Sequence, residues 1–332
     1  MTTFPFARLA GSAFVAGLAL TAAASAALAQ TKVDLRTDFK FNGYDAPYVL
    51  AIEKGFYKQA GLDVTVEQGQ GSATTVQTVA SGVDTFGLAD AGTAVLGISA
   101  QNVPVKIVAV YSQTNTMGLI YHPDDSFDGK LSSLKGRVVI SSAGSADAKL
   151  LEPTLATAGM KLGDVQMQLV NIAARVPLFL QTPGSFLTGF ETGDLLRVRM
   201  KLPTAKYIPY AHYGVIAYGT GLIVSTATLA KSPDLVKKFV AASQKGWEAA
   251  AKDPEAAVDA ALKVYPDLSK DFLLAGLKVS LDDEMHTPST EGHPMGWTSL
   301  GDWKKMLAML QKYAGITPKD PSAYYTNAFI VR

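Results

Sequence analysis

Short apolar runs alternate with helix-like segments from Val33 to about Asn171. The strand-like runs are Val33–Thr37, Leu62–Glu67, Thr85–Ala89, Val105–Tyr111, Met117–Tyr121, Val138–Ser141 and Val165–Asn171. The helical stretches between them include Pro47–Lys58, Thr74–Ser81, Thr93–Gln101 and Ala146–Ala158. Strand–helix alternation of this kind predicts βαβ units and mostly parallel sheets.

After about Ser225 the pattern predicts helices only. Two of these helices begin with an N-cap residue, a proline at the first helical position and an early carboxylate, at Ser232-Pro233-Asp234 and Asp253-Pro254-Glu255. A later apolar stripe at helical spacing predicts core positions on the last helix. Its members are Trp303, Met306, Leu307, Leu310 and Tyr313, and Gly315 follows them.

The first 29 residues form a separate unit. Residues 9–29 are apolar, Arg8 precedes them, and Ala27-Leu28-Ala29 has small residues in a cleavage-site pattern. A membrane anchor is the alternative, because about 20 apolar residues can span a bilayer. Alanine, glycine and serine make up 14 of the 21 residues in this run. The run is therefore weakly hydrophobic, which favours a secretory signal cleaved after Ala29. Since no cysteine follows it for lipid attachment, we expect an unlipidated protein in a Gram-negative periplasm.

Composition narrows the function classes. A chain of 332 residues predicts two domains at roughly 150 residues each. The absence of cysteine excludes thiolate metal sites, disulfides and Cys–His catalysis. Because 30 Lys and Arg balance 29 Asp and Glu, the chain has no bulk attraction for nucleic acid, and we expect no such partner.

Polar turns follow several of the predicted strands. They are Phe41–Tyr48, Gly69–Thr74, Asp90–Thr93 and Ser141–Asp147. Ligands of open parallel sheets bind at the carboxyl ends of strands, close to helix N-termini. These turns, with their backbone N–H groups and hydroxyls, are therefore the candidate site.

The sequence contains few of the motifs that are typical of enzymes or cofactor-binding proteins. Gly69 and Gly71 resemble half of a dinucleotide fingerprint whose third glycine is missing. The chain has no P-loop, G-x-S-x-G or H-E-x-x-H motif. One cluster contains residues that can bind a metal: Glu284, His286, Glu291 and His293. Because their spacing fits no helix face, we interpret the cluster as a surface or cleft loop, with a metal site as the alternative. We expect neither a cofactor nor a metal.

Several segments together resemble a known family. They are Ala46–Tyr57, Ala60–Val64, Ser81–Gly87, Leu134–Arg137, Lys245–Glu248, Asp253–Ala257 and Thr326–Phe329. In order and spacing they are similar to periplasmic substrate-binding proteins of ABC transporters for nitrate, sulfonate, taurine and thiamine precursors, the NMT/THI-like family. The resemblance runs across nearly all of the chain after the signal.

The resemblance implies an α/β fold of the type II periplasmic-binding-protein class. Each of its two lobes would be a mostly parallel sheet flanked by helices, with residues 30–112 plus 214–332 in lobe 1 and 113–213 in lobe 2. Hinge closure around a small molecule would present a shape that an ABC permease in the inner membrane recognises. We expect a monomer without catalytic activity. Two alternatives remain: an enzyme of the related pyrimidine-precursor synthase branch, and a sensory protein that docks on a receptor.

The sequence differs from the family pattern at one segment, and this difference changes the ligand that we expect. Where the family carries a Gly-x-x-Asp segment in lobe 2, this chain reads Gln181–Ser185, followed by Phe186–Phe190 and Glu191. Because it offers the acceptors Asp45, Asp90 and Glu191, we expect a neutral or amine-bearing ring such as a pyrimidine or flavin precursor. A sulfonate or carboxylate ligand remains the alternative, because the helix N-termini at Ser72 and Ser145 can bind an anion.

The expected ligand contacts come from both lobes. Lobe 1 would supply Asn42, Tyr44, Asp45, Ser72, Thr74, Asp90 and Thr93, with Tyr111 beside the hinge. Lobe 2 would supply Ser142, Ser145, Asn171 and Glu191, with Tyr213 near the returning chain.

Overall fold

The computed structural model describes residues 1–2 and 30–331. The predicted signal peptide therefore lies almost wholly outside the described residues. The chain forms two five-stranded sheets. Their strands are β1 (Thr31–Arg36), β2 (Leu62–Glu67), β3 (Phe86–Asp90), β4 (Val105–Val110), β5 (Met117–Tyr121), β6 (Val138–Ser141), β7 (Gln166–Leu169), β8 (Phe186–Phe190), β9 (Lys206–Pro209) and β10 (Thr220–Ser225).

Helices cover both sheets. They are α1 (Ala46–Glu53), α2 (Phe56–Gln59), α3 (Ser72–Ser81), α4 (Ala91–Gln101), α5 (Ala146–Ala156), α6 (Ile172–Gln181), α7 (Leu196–Arg199), α8 (Thr226–Lys231), α9 (Pro233–Lys252), α10 (Pro254–Val264), α11 (Lys270–Val279) and α12 (Leu300–Ala314). Single turns of π-helix lie at Glu191–Leu195 and Ser280–Glu284. Beyond Ser225 the elements are helical, as the sequence predicts.

Each sheet mixes parallel and antiparallel pairings. The first has the order β2-β1-β3-β10-β4, with β1 parallel to β2 and β3, and β10 antiparallel to β3 and β4. The second has the order β7-β6-β8-β5-β9, with β6 parallel to β7 and β8, and β5 antiparallel to β8 and β9. The two-lobed α/β fold is confirmed. The sheets are less parallel than expected because β5 and β10, the strands that follow each passage between sheets, run against their neighbours.

We call the residues around the first sheet lobe 1 and those around the second lobe 2. The exact residue limits of the two lobes remain a prediction. All seven strand-like runs overlap observed strands, whereas β9 and β10 were not predicted. A short strand such as β9, with Lys206 at one end and Pro209 at the other, carries little apolar signal.

The last helix joins the two lobes through their cores. Trp303, Leu307 and Leu310 of α12 are buried in the same apolar cluster as Leu150 and Leu155 of α5. The predicted stripe on α12 is thus core, and it packs against a lobe 2 helix.

The chain crosses between the lobes twice, and the two crossing segments lie side by side. The Gly219 N–H donates to the Ser112 carbonyl at 2.9 Å, and the Asn115 N–H donates to the Ala217 carbonyl at 3.0 Å. These bonds tie the outgoing and returning chain into one narrow connection.

The side chain of Glu284 joins this connection to the C-terminal helices by hydrogen bonds. Its buried carboxylate accepts hydrogen bonds from the hydroxyls of Ser112 (3.0 Å), Thr116 (2.6 Å) and Ser280 (3.0 Å). Burial raises the pKa of Glu284 above its usual value, and the three donors oppose that rise. Glu284, a member of the candidate metal cluster, therefore already has three hydrogen-bond partners. His293, another member, stacks its ring on Trp297 with 3.6 Å between the ring centroids.

Within residues 1–2 and 30–331, every helix is too short or too polar to cross a bilayer.

Candidate functional site

The two lobes touch across a cleft at a pair of glycine-containing turns. The Ala73 N–H, at the start of α3, donates to the Gly144 carbonyl before α5 at 3.2 Å. Gly71 has a φ of +124°, and a Cβ added there would lie 2.9 Å from the Gly144 oxygen. The structure is therefore a closed form in which only glycine fits at this point of contact.

Buried aspartates form the lobe 1 wall of this cleft. The Asp45 carboxylate accepts from the Asn42 N–H at 2.9 Å, and Asn42 accepts in return from the Tyr44 N–H, which closes a capped turn. Asp90 caps α4 by accepting from the Thr93 N–H at 2.7 Å. Asp38, the third, accepts from the Tyr44 hydroxyl.

A buried arginine organises the lobe 2 wall. The Arg175 guanidinium, with 1% of the residue exposed, pairs with Asp147 at 3.1 Å and with Asp194 at 2.5 Å. Asp147 also accepts from the Thr188 hydroxyl. The guanidinium lies 4.7 Å from the ring centroid of Phe39 in lobe 1. Arg175 therefore joins two carboxylates of its own lobe and an aromatic ring of the other.

Three carboxylates at these walls use only one of their oxygens. Asp45 Oδ1, Asp90 Oδ2 and Asp147 Oδ1 are buried and have no hydrogen-bond partner among the described residues. The same holds for Ser142 Oγ and Arg175 Nε, which also lie at the cleft walls. Buried polar atoms normally find partners, so this concentration indicates a place where another molecule supplies them.

Burial also changes the protonation of the lobe 1 carboxyls. It raises the pKa of Asp90 to about 7 and that of Asp38 to about 6, and it raises the pKa of Asp45 well above the usual range. The charge of Asp38 raises the other two further, and Asp147 in lobe 2 contributes to the rise at Asp90. The two walls are therefore electrostatically coupled.

A groove of about 540 Å³ opens beside the glycine contact. Lobe 1 lines it with Lys40, Gly69 and Gln70, and lobe 2 lines it with Ser142, Ala143 and residues 169–173. A larger cavity of about 860 Å³ lies in lobe 1 beside Gln244 and His293. Because no residue of lobe 2 lines this larger cavity, we place the candidate site at the cleft.

Most residues expected to contact a ligand lie at the walls or the mouth of the cleft. Buried in the walls are Asn42, Tyr44, Asp45, Ser72, Asp90, Thr93, Ser142 and Ser145. Asn171 caps α6 and lines the groove, and Thr74 is exposed in the first turn of α3 opposite Gly144. Their contact with a ligand remains a prediction.

Two expected residues lie elsewhere. The Tyr111 ring stacks on Trp247 in the lobe 1 core, with 4.9 Å between the ring centroids, and its contact with a ligand stays a prediction. The Tyr213 hydroxyl donates to the Gly129 carbonyl at 2.9 Å and holds a lobe 2 loop. Both were placed by their nearness to the crossing segments, which does not determine the direction of a side chain.

Glu191 is half-buried beside the first crossing segment, where its N–H donates to the Thr116 carbonyl at 3.0 Å. Burial and the charge of Asp283 raise the pKa of its carboxyl. It lies near the hinge, and a contact with a ligand stays a prediction.

The sequence reasoning missed four wall residues: Asp38, Asp147, Arg175 and Asp194. One signal was available, because Arg175 is the only charged residue in the otherwise apolar helix α6. Asp147 belongs to the turn Ser141–Asp147, which the sequence does single out. Asp38 and Asp194 carry no comparable signal in the sequence, because only their burial in the folded structure distinguishes them from other aspartates.

A closed two-lobed α/β structure with polar groups from both lobes in its cleft defines the class of periplasmic binding proteins. The NMT1/THI5-like family model matches residues 42–257, and the chain belongs to that family. The family resemblance inferred from sequence is thus confirmed. A curated relative, the riboflavin-binding protein RibY of Chloroflexus aurantiacus, is 25% identical over 294 residues, which cover 86% of this chain and 82% of RibY.

Solved structures show the same fold at lower identity. The alkanesulfonate-binding protein SsuA of Xanthomonas axonopodis, bound to MOPS, has a TM-score of 0.67 at 14% identity over 90% of this chain and 99% of SsuA. The nitrate-binding protein NrtA of Synechocystis has a TM-score of 0.64 at 15% identity over 90% of this chain and 87% of NrtA.

Proposed function

We propose that this protein is an exported solute-binding protein that delivers a small organic molecule to an ABC importer. The molecule would be trapped by closure of the two lobes, and the closed form would be recognised by a permease in the inner membrane. The observation that carries the proposal is a set of buried polar atoms, contributed by both lobes where they meet, that have no hydrogen-bond partner among the described residues. A ligand stabilises the closed form by its higher affinity for it.

The favoured ligand is a pyrimidine-, flavin- or amine-like ring compound. Its N–H groups would donate to the free oxygens of Asp45, Asp90 and Asp147. The similarity to RibY, which is named for binding riboflavin, supports a ring of this kind.

A sulfonate, taurine or carboxylate ligand is the second candidate. The likeness in fold to SsuA and the N-termini of α3 and α5 at the cleft support it. Against it, the one fully buried arginine of the walls is already paired with two carboxylates.

We propose a binding role without catalysis, in a monomer that is free in the periplasm after cleavage behind Ala29. N-terminal sequencing of the exported protein tests the cleavage, with Gln30 expected as the first residue. Mass spectrometry of small molecules released by denaturing the purified protein tests the function. A bound compound that is released chemically unchanged supports transport, whereas steady conversion of that compound by the protein would favour the synthase-like enzyme.

A thermal-shift screen over sulfonates, pyrimidines, flavins and aromatic acids then identifies the class, because a ligand raises the apparent stability by mass action. The function is wrong if denaturation releases no small molecule and no class raises the melting temperature.

A further inference from the structure

We propose that the hinge contains a second binding site, for a small neutral ring compound with one N–H or O–H donor, such as an indole or a phenol. The site is a cavity of about 310 Å³ beside the two crossing segments. It shares no lining residue with the groove beside the glycine contact. The inference goes beyond the proposed function and does not depend on the ligand of the cleft.

Four parts of the chain meet around this hinge cavity. The outgoing crossing segment contributes Gln113 and its neighbour, and the returning segment contributes residues 216–218. The loop 287–289 and helix α12 provide the rest of the lining. The hydrogen bond from the Asn115 N–H to the Ala217 carbonyl joins the two crossing segments here. A molecule in the cavity would therefore contact the outgoing and the returning chain at once.

The returning segment and α12 make the lining apolar. Ala217, Tyr218 and Met306 are buried, whereas Ile216 is 62% exposed. The Tyr218 hydroxyl is already occupied, because it donates to the Ser299 carbonyl and accepts from the Ser299 N–H. Ligand pockets are mostly apolar and begin at about 300 Å³. This cavity therefore has the size and the walls for a small ring compound, which would cover Ile216.

The charged side chains of the lining neutralise each other. They are Asp302 and Lys305, whose carboxylate and ammonium groups pair at 2.9 Å. The Asp302 carboxylate also accepts from the Ser289 hydroxyl. Since the one positive and the one negative group are already paired, the lining offers no counter-ion to a charged ligand. A neutral molecule suits this cavity.

One buried acceptor in the lining calls for a donor. Gln113 is 6% exposed, and its Oε1 atom has no hydrogen-bond partner among the described residues. The side-chain amide cannot be turned over, because its Nε2 donates to the carbonyls of Val110 and, at 3.0 Å, Trp297. A buried amide oxygen normally accepts a hydrogen bond. Because Gln113 lines the cavity, we expect the bound molecule to supply an N–H or O–H to this oxygen.

The first experiment is an NMR titration of the exported protein with two probes of the same shape. Indole carries an N–H group, and benzofuran has an oxygen in its place. We expect indole to shift the backbone amide signals of Gln113 and residues 216–218, and to bind roughly fivefold or more tightly than benzofuran. Equal affinities would mean that water serves Gln113 Oε1, and they would overturn the inference. The absence of indole binding, or signal changes confined to the cleft, would overturn it as well.

The second experiment changes the acceptor and the apolar wall separately. Gln113→Met removes the acceptor and should abolish the preference for indole over benzofuran, a ratio that a loss of stability alone would not change. Ile216→Ala removes apolar surface and should weaken the binding of both probes roughly threefold or more, with the ratio preserved. The matched control is Ile52→Ala, because Ile52 is 37% exposed in α1 and lies outside the cavity. Its affinities should equal those of the wild type.

The two variants keep the inference open to refutation. If Gln113→Met does not fold, Ile216→Ala still tests the site, because the exposed Ile216 side chain can be shortened without opening the core. Unchanged affinity in Ile216→Ala, or a preference for indole that survives in Gln113→Met, overturns the inference. Neither result bears on the cleft, whose ligand is tested by the compounds released on denaturation.

Discussion

The α-carbon of Gly71 faces the carbonyl oxygen of Gly144 so closely that a methyl group between them would lie 2.9 Å from that oxygen. This contact joins the turn before α3 in lobe 1 to the turn before α5 in lobe 2. Closure of the cleft therefore depends on the absence of a side chain at one position.

Gly71→Ala should hold the lobes apart. The added Cβ meets backbone, which cannot move aside as a flexible side chain can, and the φ of +124° disfavours any L-residue. We expect ligand affinity to fall roughly tenfold or more. Small-angle scattering should show a radius of gyration that no longer decreases when ligand is added.

Gly82→Ala is the matched control for backbone strain. Gly82 has a φ of +78° and nothing within 4 Å of an added Cβ. It should lose some stability and keep its affinity and its compaction. Equal affinities for the two variants would contradict the role of the Gly71 contact.

Glu284→Ala should destabilise the whole protein. It leaves the hydroxyls of Ser112, Thr116 and Ser280 without their buried acceptor. We expect the free energy of unfolding to fall by about 2–4 kcal/mol in urea titrations. Glu53→Ala, which removes an exposed ion pair with Lys263, should cost less than about 1 kcal/mol. Similar losses in the two variants would refute a special role for Glu284.

Asp90 should make the stability of the ligand-free protein fall with rising pH. Its pKa is about 7 in the folded protein and about 3.9 when unfolded. The folded state thus binds the extra proton, and its contribution to stability is complete below about pH 4 and lost as the pH rises through 7. Relative to wild type, Asp90→Asn should gain stability across this range.

Urea unfolding at several pH values measures this difference. The control is Asp253→Asn, because Asp253 is an exposed N-cap that accepts from the Ala256 N–H at 3.0 Å. Its difference from wild type should stay constant. A constant difference for Asp90→Asn as well would show that the Asp90 carboxyl titrates normally.

Tyr111→Phe should leave ligand affinity unchanged. The Tyr111 hydroxyl has no hydrogen-bond partner in the part of the chain that the structure describes, and its ring stacks on Trp247 inside lobe 1. Removing an unpaired buried hydroxyl should change the free energy of unfolding by no more than about 1 kcal/mol. Tyr44→Phe, which takes the hydroxyl donor from Asp38, should lower ligand affinity, and isothermal titration calorimetry of both variants measures the difference. A loss of affinity in Tyr111→Phe would return that residue to the site.

Periodicity and capping predicted much of the fold because they are local. The boundaries of β2, β5 and β6 follow directly from their apolar runs, and the proline-started helices α9 and α10 begin where their caps predict. The interior positions of β10 and β5 in their sheets could not be predicted, since pairing across a sheet depends on residues far apart in the chain.

Only the part of the site that depends on local sequence could be predicted. Asp45 and Asp90 stand at turns that follow strands, where sequence position alone suggests a ligand. Arg175, Asp147 and Asp194 meet only through tertiary packing, as α6, α5 and the π-turn converge. Tyr111 shows the limit of such reasoning, because a position near a crossing segment does not determine which face of the sheet a ring covers.

The shared use of Asp45 and Asp90 has a consequence for how such a protein can evolve. In each residue one oxygen accepts the hydrogen bond that completes a turn, and the other is buried without a hydrogen-bond partner among the described residues. A single change from aspartate to asparagine can therefore invert the preference of the cleft, from donors to acceptors, while the turn keeps its acceptor. New ligands can be explored at these positions without first acquiring compensating mutations for stability.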